Sequence, residues 1–282
     1  MASCRVSGLI LSLAVLLLPV YPVYGQTQYN GRTIRVNGIE MYYETYGQGE
    51  PLVLLHGFTG SGQAWKSNQI DSLAAHYRLI LPDMRGHGGS TNPSGVFTHR
   101  QSALDIYALL DSLGIDRFSG IGSSSGGMTL LHMATQQPRR VEALILIAAT
   151  TYFPEQARVI MRSRNPDSLS EKDLERLRRE HRHGDEQIRS LIRQFNNFKD
   201  SYEDMNFTPP LLSTIQARTL IIHGDRDQFF PVEIPVQMYK SIPRSYLWIV
   251  PNGGHGPLGA DLRLLFVRTA LDFLSGKWEK NK

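Results

Sequence analysis

Cysteine is nearly absent from this 282-residue sequence, which contains only Cys4. One thiol cannot form a disulfide framework, so cross-links are excluded as the source of stability. A chain of this length buries enough apolar surface to fold without them, and it can do so as one large domain.

The sequence also lacks a strong excess of either charge. Its 30 Lys and Arg residues and 26 Asp and Glu residues give a net charge of +4, spread along the chain. This pattern does not predict a nucleic-acid partner. No cluster of metal-ligand residues and no tandem repeat stands out, so we expect neither a metal nor an organic cofactor.

Long hydrophobic runs are missing as well. The apolar run at residues 9–18 is well short of the roughly 20 residues that a membrane-spanning helix needs. Arg5 precedes this run, and the permissive residues Tyr24 and Gly25 precede Gln26, an arrangement typical of a secretory signal peptide. We therefore predict that residues 1–25 are a signal peptide and that the mature chain is secreted or periplasmic, without a stable membrane span. A transmembrane anchor is the alternative.

Short apolar runs dominate the rest of the chain. Residues 32–36 and 39–46 flank Asn37-Gly38, the preferred pair for a tight hairpin turn. Six runs rich in Leu, Ile and Val follow, at residues 52–56, 79–82, 118–122, 143–148, 219–223 and 246–250. Runs this short and this apolar are typical of buried strands in a parallel sheet.

The segments between these runs are predicted to be helical. Residues 101–113 place Leu104, Ala108 and Leu109 on one face, and residues 128–137 end at Pro138, which cannot continue a helix. Alternating strands and helices predict an α/β fold, with a mostly parallel central sheet covered by helices on both faces. Ligands of such sheets bind beyond the carboxyl ends of the strands, so we expect the functional residues there.

One segment, residues 150–210, interrupts this alternation. It contains no convincing strand, and Ser170 with Asp173 three residues later indicates a capped helix start. Apolar residues at helical spacing form a stripe that needs a surface to cover: Leu174, Leu177, Ile188, Leu191, Ile192 and Phe195. We predict a helical lid at residues 150–210, inserted into a core formed by residues 26–149 and 211–282.

The motif Gly122-Ser123-Ser124-Ser125-Gly126-Gly127 carries the strongest chemical signal. It lies between a predicted strand and a predicted helix, the context that a G-x-S-x-G nucleophile turn requires. The flanking glycines leave room for a tight turn that exposes the central hydroxyl. Ser123 and Ser125 are out of register with this pattern, so Ser124 is the predicted nucleophile.

A serine hydroxyl needs a base to take its proton. His255 follows the run at residues 246–250 and has glycines on both sides, which allow its ring to approach another backbone closely. The carboxylate that orients this ring is expected in the loop after residues 219–223, where Asp225 and Asp227 are the candidates. Asp227 lies further into the loop and is preferred, whereas Asp225 is better placed to cap the turn.

The negative charge that forms on the substrate during attack needs amide donors. The amide of Ser125, which directly follows the nucleophile, is one predicted donor. The second is assigned to the amide of Phe58, in the loop His56-Gly57-Phe58-Thr59-Gly60 after an early strand.

Together these residues resemble the α/β-hydrolase superfamily, in particular its lidded esterases, lactonases and carbon–carbon bond hydrolases. The resemblance extends from residue 32 to residue 274 and includes the chain order Ser, Asp, His of the predicted triad. Residues 82–90 are similar to the D-x-R-G-x-G-x-S segment of the family, in which the Asp and Arg brace loops near the site. The resemblance therefore implies a structural and not a catalytic role for Asp83, Arg85 and His87.

The resemblance implies a serine hydrolase that cleaves a small, ester-like substrate. Epoxide hydrolases and haloalkane dehalogenases of this fold have an aspartate nucleophile, so a serine at position 124 disfavours both activities. A lactone or carbon–carbon bond hydrolase with the same triad remains an alternative, as does a non-catalytic ligand-binding protein. Aromatic residues of the predicted lid indicate an apolar acyl or alcohol group: Phe153, Phe195, Phe198 and Phe207. The oligomeric state is left open, and Asn206 begins a glycosylation sequon.

Overall fold

The computed structural model describes Met1, residues 31–66 and residues 69–279. Apart from Met1, the predicted signal peptide therefore lies outside the described residues. Within them, one sheet contains the strands β1 (Arg32–Val36), β2 (Ile39–Tyr46), β3 (Glu50–Leu55), β4 (Tyr77–Pro82), β5 (Phe118–Ser123), β6 (Val141–Ile147), β7 (Arg218–Gly224) and β8 (Ser245–Val250). Their order across the sheet is β1-β2-β4-β3-β5-β6-β7-β8.

The first two strands form the predicted hairpin. Strand β1 pairs antiparallel with β2 around Asn37 and Gly38, whose φ angles are 43° and 78°. Positive values at both positions are what a type I′ turn requires. Strand β2 also pairs antiparallel with β4, whereas every neighbouring pair from β4–β3 to β7–β8 is parallel. The prediction of a mostly parallel sheet is confirmed.

Helices cover both faces of this sheet. In the described ranges they are α1 (Gln69–Ala74), α2 (His99–Ser112), α3 (Ser125–Gln136), α4 (Glu155–Arg162), α5 (Glu171–Glu180), α6 (Gly184–Asn197), α7 (Pro209–Leu212), α8 (Glu233–Ser241) and α9 (Arg263–Leu274). Successive residues of a strand point to opposite faces. Accordingly, Leu52 and Leu54 pack with α1 and α9, whereas Val53 and Leu55 pack with α2, α3 and α8. No helix of the described ranges is long and apolar enough to cross a bilayer.

The prediction of which residues form the buried face of α2 is partly wrong. Leu104 is 41% exposed, although Leu109 is fully buried. The buried stripe runs instead through Ala103, Ile106 and Leu110, which follow the spacing of one helix face. Because α2 is apolar on more than one side, its sequence does not reveal which side meets the sheet, and a single exposed leucine is common on folded proteins.

Residues 150–210, all of which the structure describes, form helices and no strand between β6 and β7. We refer to them as the inserted segment. An isolated antiparallel bridge joins Tyr152 and Asn206 near its two ends. The Ser170 hydroxyl accepts a hydrogen bond from the Asp173 amide at 3.1 Å, which confirms the predicted capped start of α5. The predicted apolar stripe of α5 and α6 is buried except at Phe195, which is half-buried.

Candidate active site

Ser124 lies at the turn between β5, which ends at Ser123, and α3, which begins at Ser125. Its φ and ψ angles are 49° and −116°, a conformation that L-residues rarely adopt. Backbone strain of this kind costs on the order of 1–3 kcal/mol and persists only where the surroundings enforce it. The Ser124 amide donates to the Ile147 carbonyl at 2.8 Å, which holds the turn against the neighbouring strand.

The turn is possible because two glycines pack without side chains. A Cβ atom at Gly122 would lie 2.5 Å from the carbonyl carbon of Gly126. One at Gly126 would lie 2.2 Å from the carbonyl oxygen of Leu55. Both distances are far below those of real Cβ contacts, so these positions exclude every other residue. Helix α3 can therefore start directly beside the end of β3.

The structure brings Ser124, His255 and Asp227 together. The Ser124 Oγ atom lies 3.0 Å from His255 Nε2, and His255 Nδ1 lies 2.8 Å from Asp227 Oδ2. The three residues follow the strands β5, β8 and β7, at the carboxyl edge of the sheet where ligands of α/β folds bind. Asp225, the alternative carboxylate, is exposed. The hydrogen bond to the imidazole is thus made by the preferred candidate.

Asp227 is kept ionised by its surroundings. Burial would raise the pKa of its carboxyl, but the hydrogen bond from His255, together with two backbone donors, holds that pKa below its ordinary value. The donors are the amides of Phe229 at 2.7 Å and Phe230 at 3.1 Å. With Asp227 ionised, His255 Nδ1–H donates to it, and the lone pair on Nε2 faces the Ser124 hydroxyl. In this arrangement a histidine can accept the proton of a serine.

The predicted oxyanion donors lie beside Ser124. Ser125 is the first residue of α3, and the amides of a first helical turn have no carbonyl partner within the helix. Phe58 follows Gly57, where a Cβ atom would lie 3.7 Å from Cβ of Ser124. Phe58 and Ser125 line the same cavity as Ser124 and His255. The geometry therefore brings both amide-bearing segments close to Ser124.

A cavity of about 440 Å³ adjoins these residues and is lined by both the core and the inserted segment. Its volume is within the range of small-molecule sites. Six phenyl rings line it: Phe58, Phe153, Phe195, Phe198, Phe229 and Phe230. Phe207, which was expected in this group, packs instead against the His132 ring at a centroid distance of 4.8 Å. Phe229 and Phe230 were not expected, although they follow Asp227 closely in the same loop.

Comparison with known proteins agrees with this fold and with this arrangement of residues. Residues 50–179 match a family model described as alpha/beta hydrolase fold. The chain is 29% identical over 232 residues to the serine hydrolase BPHL of Mus musculus, with 79% of each chain covered. It is 27% identical over 279 residues to the 2-hydroxy-6-oxo-2,4-heptadienoate hydrolase of Pseudomonas putida, covering 88% of this chain and 97% of that relative. These matches support the α/β-hydrolase superfamily, and the mostly parallel eight-stranded sheet has the fold of that superfamily.

The solved structure of an esterase has a similar fold. The esterase RhEst1 from Rhodococcus sp. ECU1013 superposes with a TM-score of 0.67 at 25% identity, over 88% of this chain and 98% of that chain. Each of the three proteins is named as a hydrolase or an esterase. The expectation of an enzyme is therefore supported at the level of the hydrolase class.

The segment that resembles the D-x-R-G motif of the α/β-hydrolases braces loops, as the resemblance implies. Asp83 is buried and accepts hydrogen bonds from the amides of Gly62 at 2.7 Å and Gly89 at 2.8 Å. Arg85 forms two hydrogen bonds with Asp105 at 2.8 and 2.9 Å. Neither side chain lines the active-site cavity.

A second hydrogen-bonded group beside Ser124 was not predicted from the sequence. His99 Nε2 lies 3.0 Å from Ser125 Oγ, and His99 Nδ1 lies 2.6 Å from Asp204 Oδ2. All three side chains are buried. No sequence signal pairs His99 with Asp204, because 105 positions separate them and Asp204 belongs to no recognisable motif.

Proposed function

We propose that this α/β-hydrolase cleaves carboxylic esters through an acyl-enzyme on Ser124. The observation that supports the proposal most strongly is the pair of hydrogen bonds from Ser124 Oγ to His255 Nε2, 3.0 Å, and from His255 Nδ1 to Asp227 Oδ2, 2.8 Å. They occur beside a cavity that is large enough for a small organic substrate.

In the proposed reaction, Ser124 Oγ attacks the ester carbonyl carbon while His255 Nε2 takes the hydroxyl proton. The amides of Phe58 and Ser125 donate to the oxyanion, and each such donor contributes about 3 kcal/mol in the transition state. The tetrahedral intermediate expels the alcohol, which receives the proton from His255, and the acyl group stays on Ser124. A water molecule, deprotonated by His255, then attacks the acyl carbon. The bond from this carbon to Ser124 Oγ breaks, Oγ takes the proton back from His255, and the acid is released. Asp227 keeps the ring oriented and stabilises the imidazolium.

The inserted segment is proposed to act as a lid over this site. Its residues Met161, Leu177 and Ile192 line the same cavity as Ser124 and His255. Together with the phenyl rings they form an apolar part of the cavity wall, which favours an apolar acyl or alcohol group. Arg164, Asp173 and Arg176 of the same segment add charged groups to the wall.

The acyl-enzyme is tested by rapid mixing with p-nitrophenyl acetate. We expect a burst of about one p-nitrophenol per active site, the kinetic signature of covalent catalysis. Mass spectrometry of acid-quenched protein should locate the acetyl group on Ser124, and the Ser124→Ala variant should show neither burst nor acetylation. Acetylation of another residue in the wild type, or ester turnover that persists in Ser124→Ala, would contradict the proposal.

A second candidate is hydrolysis of a 2-hydroxy-6-oxo-dienoate at a carbon–carbon bond. The relative named for 2-hydroxy-6-oxo-2,4-heptadienoate supports it, because the match extends over 97% of that protein. The same triad would act, so the shape of the cavity and not the catalytic residues decides between the two. Measuring kcat/KM for this dienoate and for p-nitrophenyl butyrate on one preparation separates them, and the larger value identifies the class.

A further inference from the structure

Ser125, His99 and Asp204 form a hydrogen-bonded chain one residue beyond the nucleophile. Ser125 Oγ lies 3.0 Å from His99 Nε2, and His99 Nδ1 lies 2.6 Å from Asp204 Oδ2. Ser125 is 3% exposed and His99 is fully buried. These two hydrogen bonds connect the first residue of α3 to the first residue of α2 and then to the inserted segment.

Several donors keep Asp204 ionised. Asp204 accepts from the His99 amide at 2.8 Å and from the Arg100 amide at 3.0 Å, in addition to the His99 ring. Burial raises the pKa of this carboxyl, but the hydrogen bonds and charge of these donors outweigh it and lower the pKa to about 2. Because Asp204 is ionised, His99 Nδ1–H donates to it. His99 Nε2, on the other side of the ring, forms the hydrogen bond with the Ser125 hydroxyl at 3.0 Å.

Aromatic side chains enclose the ring of His99. Phe97 and Phe198 each lie at a centroid distance of 5.3 Å from it, and Phe153 lies at 6.0 Å. In such an apolar environment a hydrogen bond is stronger than in water, and loss of one partner leaves the other buried and unsatisfied. The Ser125 hydroxyl is therefore held firmly in one direction.

Asp204, the last of the three hydrogen-bonded residues, is anchored in the inserted segment. Arg158 donates to the carbonyls of Phe153 at 3.0 Å and Ser201 at 2.9 Å, which organises the stretch that leads to Asp204. His132 donates through Nε2 to the Asp204 carbonyl at 2.6 Å. The inserted segment and the start of α3 are thereby connected through buried polar groups.

We propose that Ser125, His99 and Asp204 are positioning residues of the oxyanion hole. The Ser125 hydroxyl, held by His99 and Asp204, fixes the direction of the Ser125 amide and couples that direction to the seating of the inserted segment. This inference rests on the proposed function, in which the Ser125 amide donates to the oxyanion and Ser124 alone is the nucleophile.

The Ser125→Ala variant tests this role because it keeps the amide and removes only the hydroxyl. Complete loss of one oxyanion donor costs about 10²- to 10³-fold in kcat, so a misdirected donor should cost about 10-fold. KM should change less than about 2-fold, since the substrate carbonyl gains the full contact only in the transition state. Affinity for a phenylboronic acid, which forms a tetrahedral adduct with Ser124, should fall in parallel with kcat.

The His99→Asn variant tests the next member of the chain. Its amide nitrogen retains a donor near the position of Nδ1 for Asp204, but nothing remains to hold the Ser125 hydroxyl. We expect the same loss of kcat and of boronic acid affinity. The double variant that combines His99→Asn and Ser125→Ala should lose no more kcat than the weaker of the two single variants, because both substitutions remove the same interaction.

Thr129→Val is the matched control. Thr129 is fully buried one turn further along α3, and its hydroxyl contacts Met84 Sδ at 3.7 Å, away from this chain. The kcat of Thr129→Val should stay within about 2-fold of the wild-type value. Its Tm should fall, because one buried hydroxyl is lost.

Two results would overturn the inference. One is a Ser125→Ala protein with lower Tm but wild-type kcat and boronic acid affinity, which would make the chain purely structural. The other is labelling of Ser125 by a fluorophosphonate in Ser124→Ala, which would make it a second nucleophile. If the proposed function is wrong, the wild type does not hydrolyse esters. The affinities of the wild type and the variants for phenylboronic acid then still test the role of Ser125, His99 and Asp204.

Discussion

The carboxylate of Asp227 is completely shielded from solvent and lies 2.8 Å from Nδ1 of His255, 28 positions further along the chain. This contact determines which nitrogen of the imidazole carries the proton, because an ionised carboxylate can only accept. Nε2 is left free to act as the base toward Ser124. The proposed chemistry of the site therefore depends on one buried carboxylate.

Asp227→Asn should lower kcat about 10³- to 10⁴-fold, because the amide can donate to Nδ1 and favours the wrong tautomer. The fold should persist, since the substitution preserves shape. Asp225→Asn is the control, and we expect its kcat to stay within about 2-fold because Asp225 is exposed. Ester hydrolysis by both purified variants checks this. A larger loss in Asp225→Asn would mean that the wrong carboxylate has been assigned.

Gly126→Ala should destabilise the protein severely, by about 4 kcal/mol or more, because the added Cβ would overlap backbone atoms that cannot move apart. The clash is with the Leu55 carbonyl oxygen, at 2.2 Å. Gly259→Ala is the control, since a Cβ there meets nothing within 4 Å. Urea unfolding of both variants measures the difference. Equal midpoints would contradict the steric account of the nucleophile turn.

Three buried histidines should make the fold sensitive to acid. Burial lowers the pKa of His56 and of His181 to about 4, and it holds the pKa of His87 well below its ordinary value. His181 Nδ1 accepts from the Gly88 amide at 3.0 Å, and Nε2–H donates to the Thr59 carbonyl at 3.1 Å. A proton added to His181 Nδ1 would face the N–H of Gly88, so the charged ring would lose this hydrogen bond.

The sign of the effect follows from the direction of these shifts. The unfolded chain binds the protons near pH 6.5, whereas folded His56 and His181 bind them only near pH 4. The free energy of unfolding therefore has its full value above about pH 6.5. It decreases as the pH falls toward 4, by up to about 1.4 kcal/mol per pH unit for each histidine.

His181→Gln should reduce this slope by about one proton between pH 6.5 and pH 4.5, as measured by urea unfolding across that range. The control is Gln187→Ala, because Gln187 contacts the same loop through the carbonyls of Gly86 and Gly88 at 2.9 and 3.1 Å without a titrating group. It should lower stability at all pH values and leave the slope unchanged. An unchanged slope in His181→Gln would contradict this account.

Export is predicted from residues 1–25, which except for Met1 lie outside the described residues. Mass spectrometry of protein exported by a secreting host should find Gln26 at the mature N-terminus. Replacing Val15 and Leu16 with Arg should block export, because charges disrupt the apolar run that a signal peptide needs. A full-length, membrane-bound product would instead favour the transmembrane anchor.

Local sterics explain why the sheet and the nucleophile turn could be predicted. The Asn37-Gly38 turn needs two positive φ angles, and the turn at Ser124 needs glycine at Gly122 and Gly126. Such requirements leave residue types at fixed spacing, which can be recognised without tertiary information.

Side-chain partners that meet only through tertiary packing could not be predicted in the same way. Asp204 reaches His99 across 105 positions, and Phe207 turned toward His132 instead of the cavity. Leu104 was misplaced for a similar reason, since an apolar helix does not show in its sequence which side meets the sheet. The preference for Asp227 over Asp225 rested on loop reach, and the hydrogen bond to His255 agrees with it.

The central claim is tested most directly by the rate of p-nitrophenyl ester hydrolysis in wild type and Ser124→Ala, assayed side by side with their circular dichroism spectra. The account predicts turnover of short or medium acyl esters by the wild type. It also predicts a loss of at least about 10⁴-fold in a variant that remains folded, because the nucleophile is gone. A folded Ser124→Ala protein that retains wild-type turnover would contradict it.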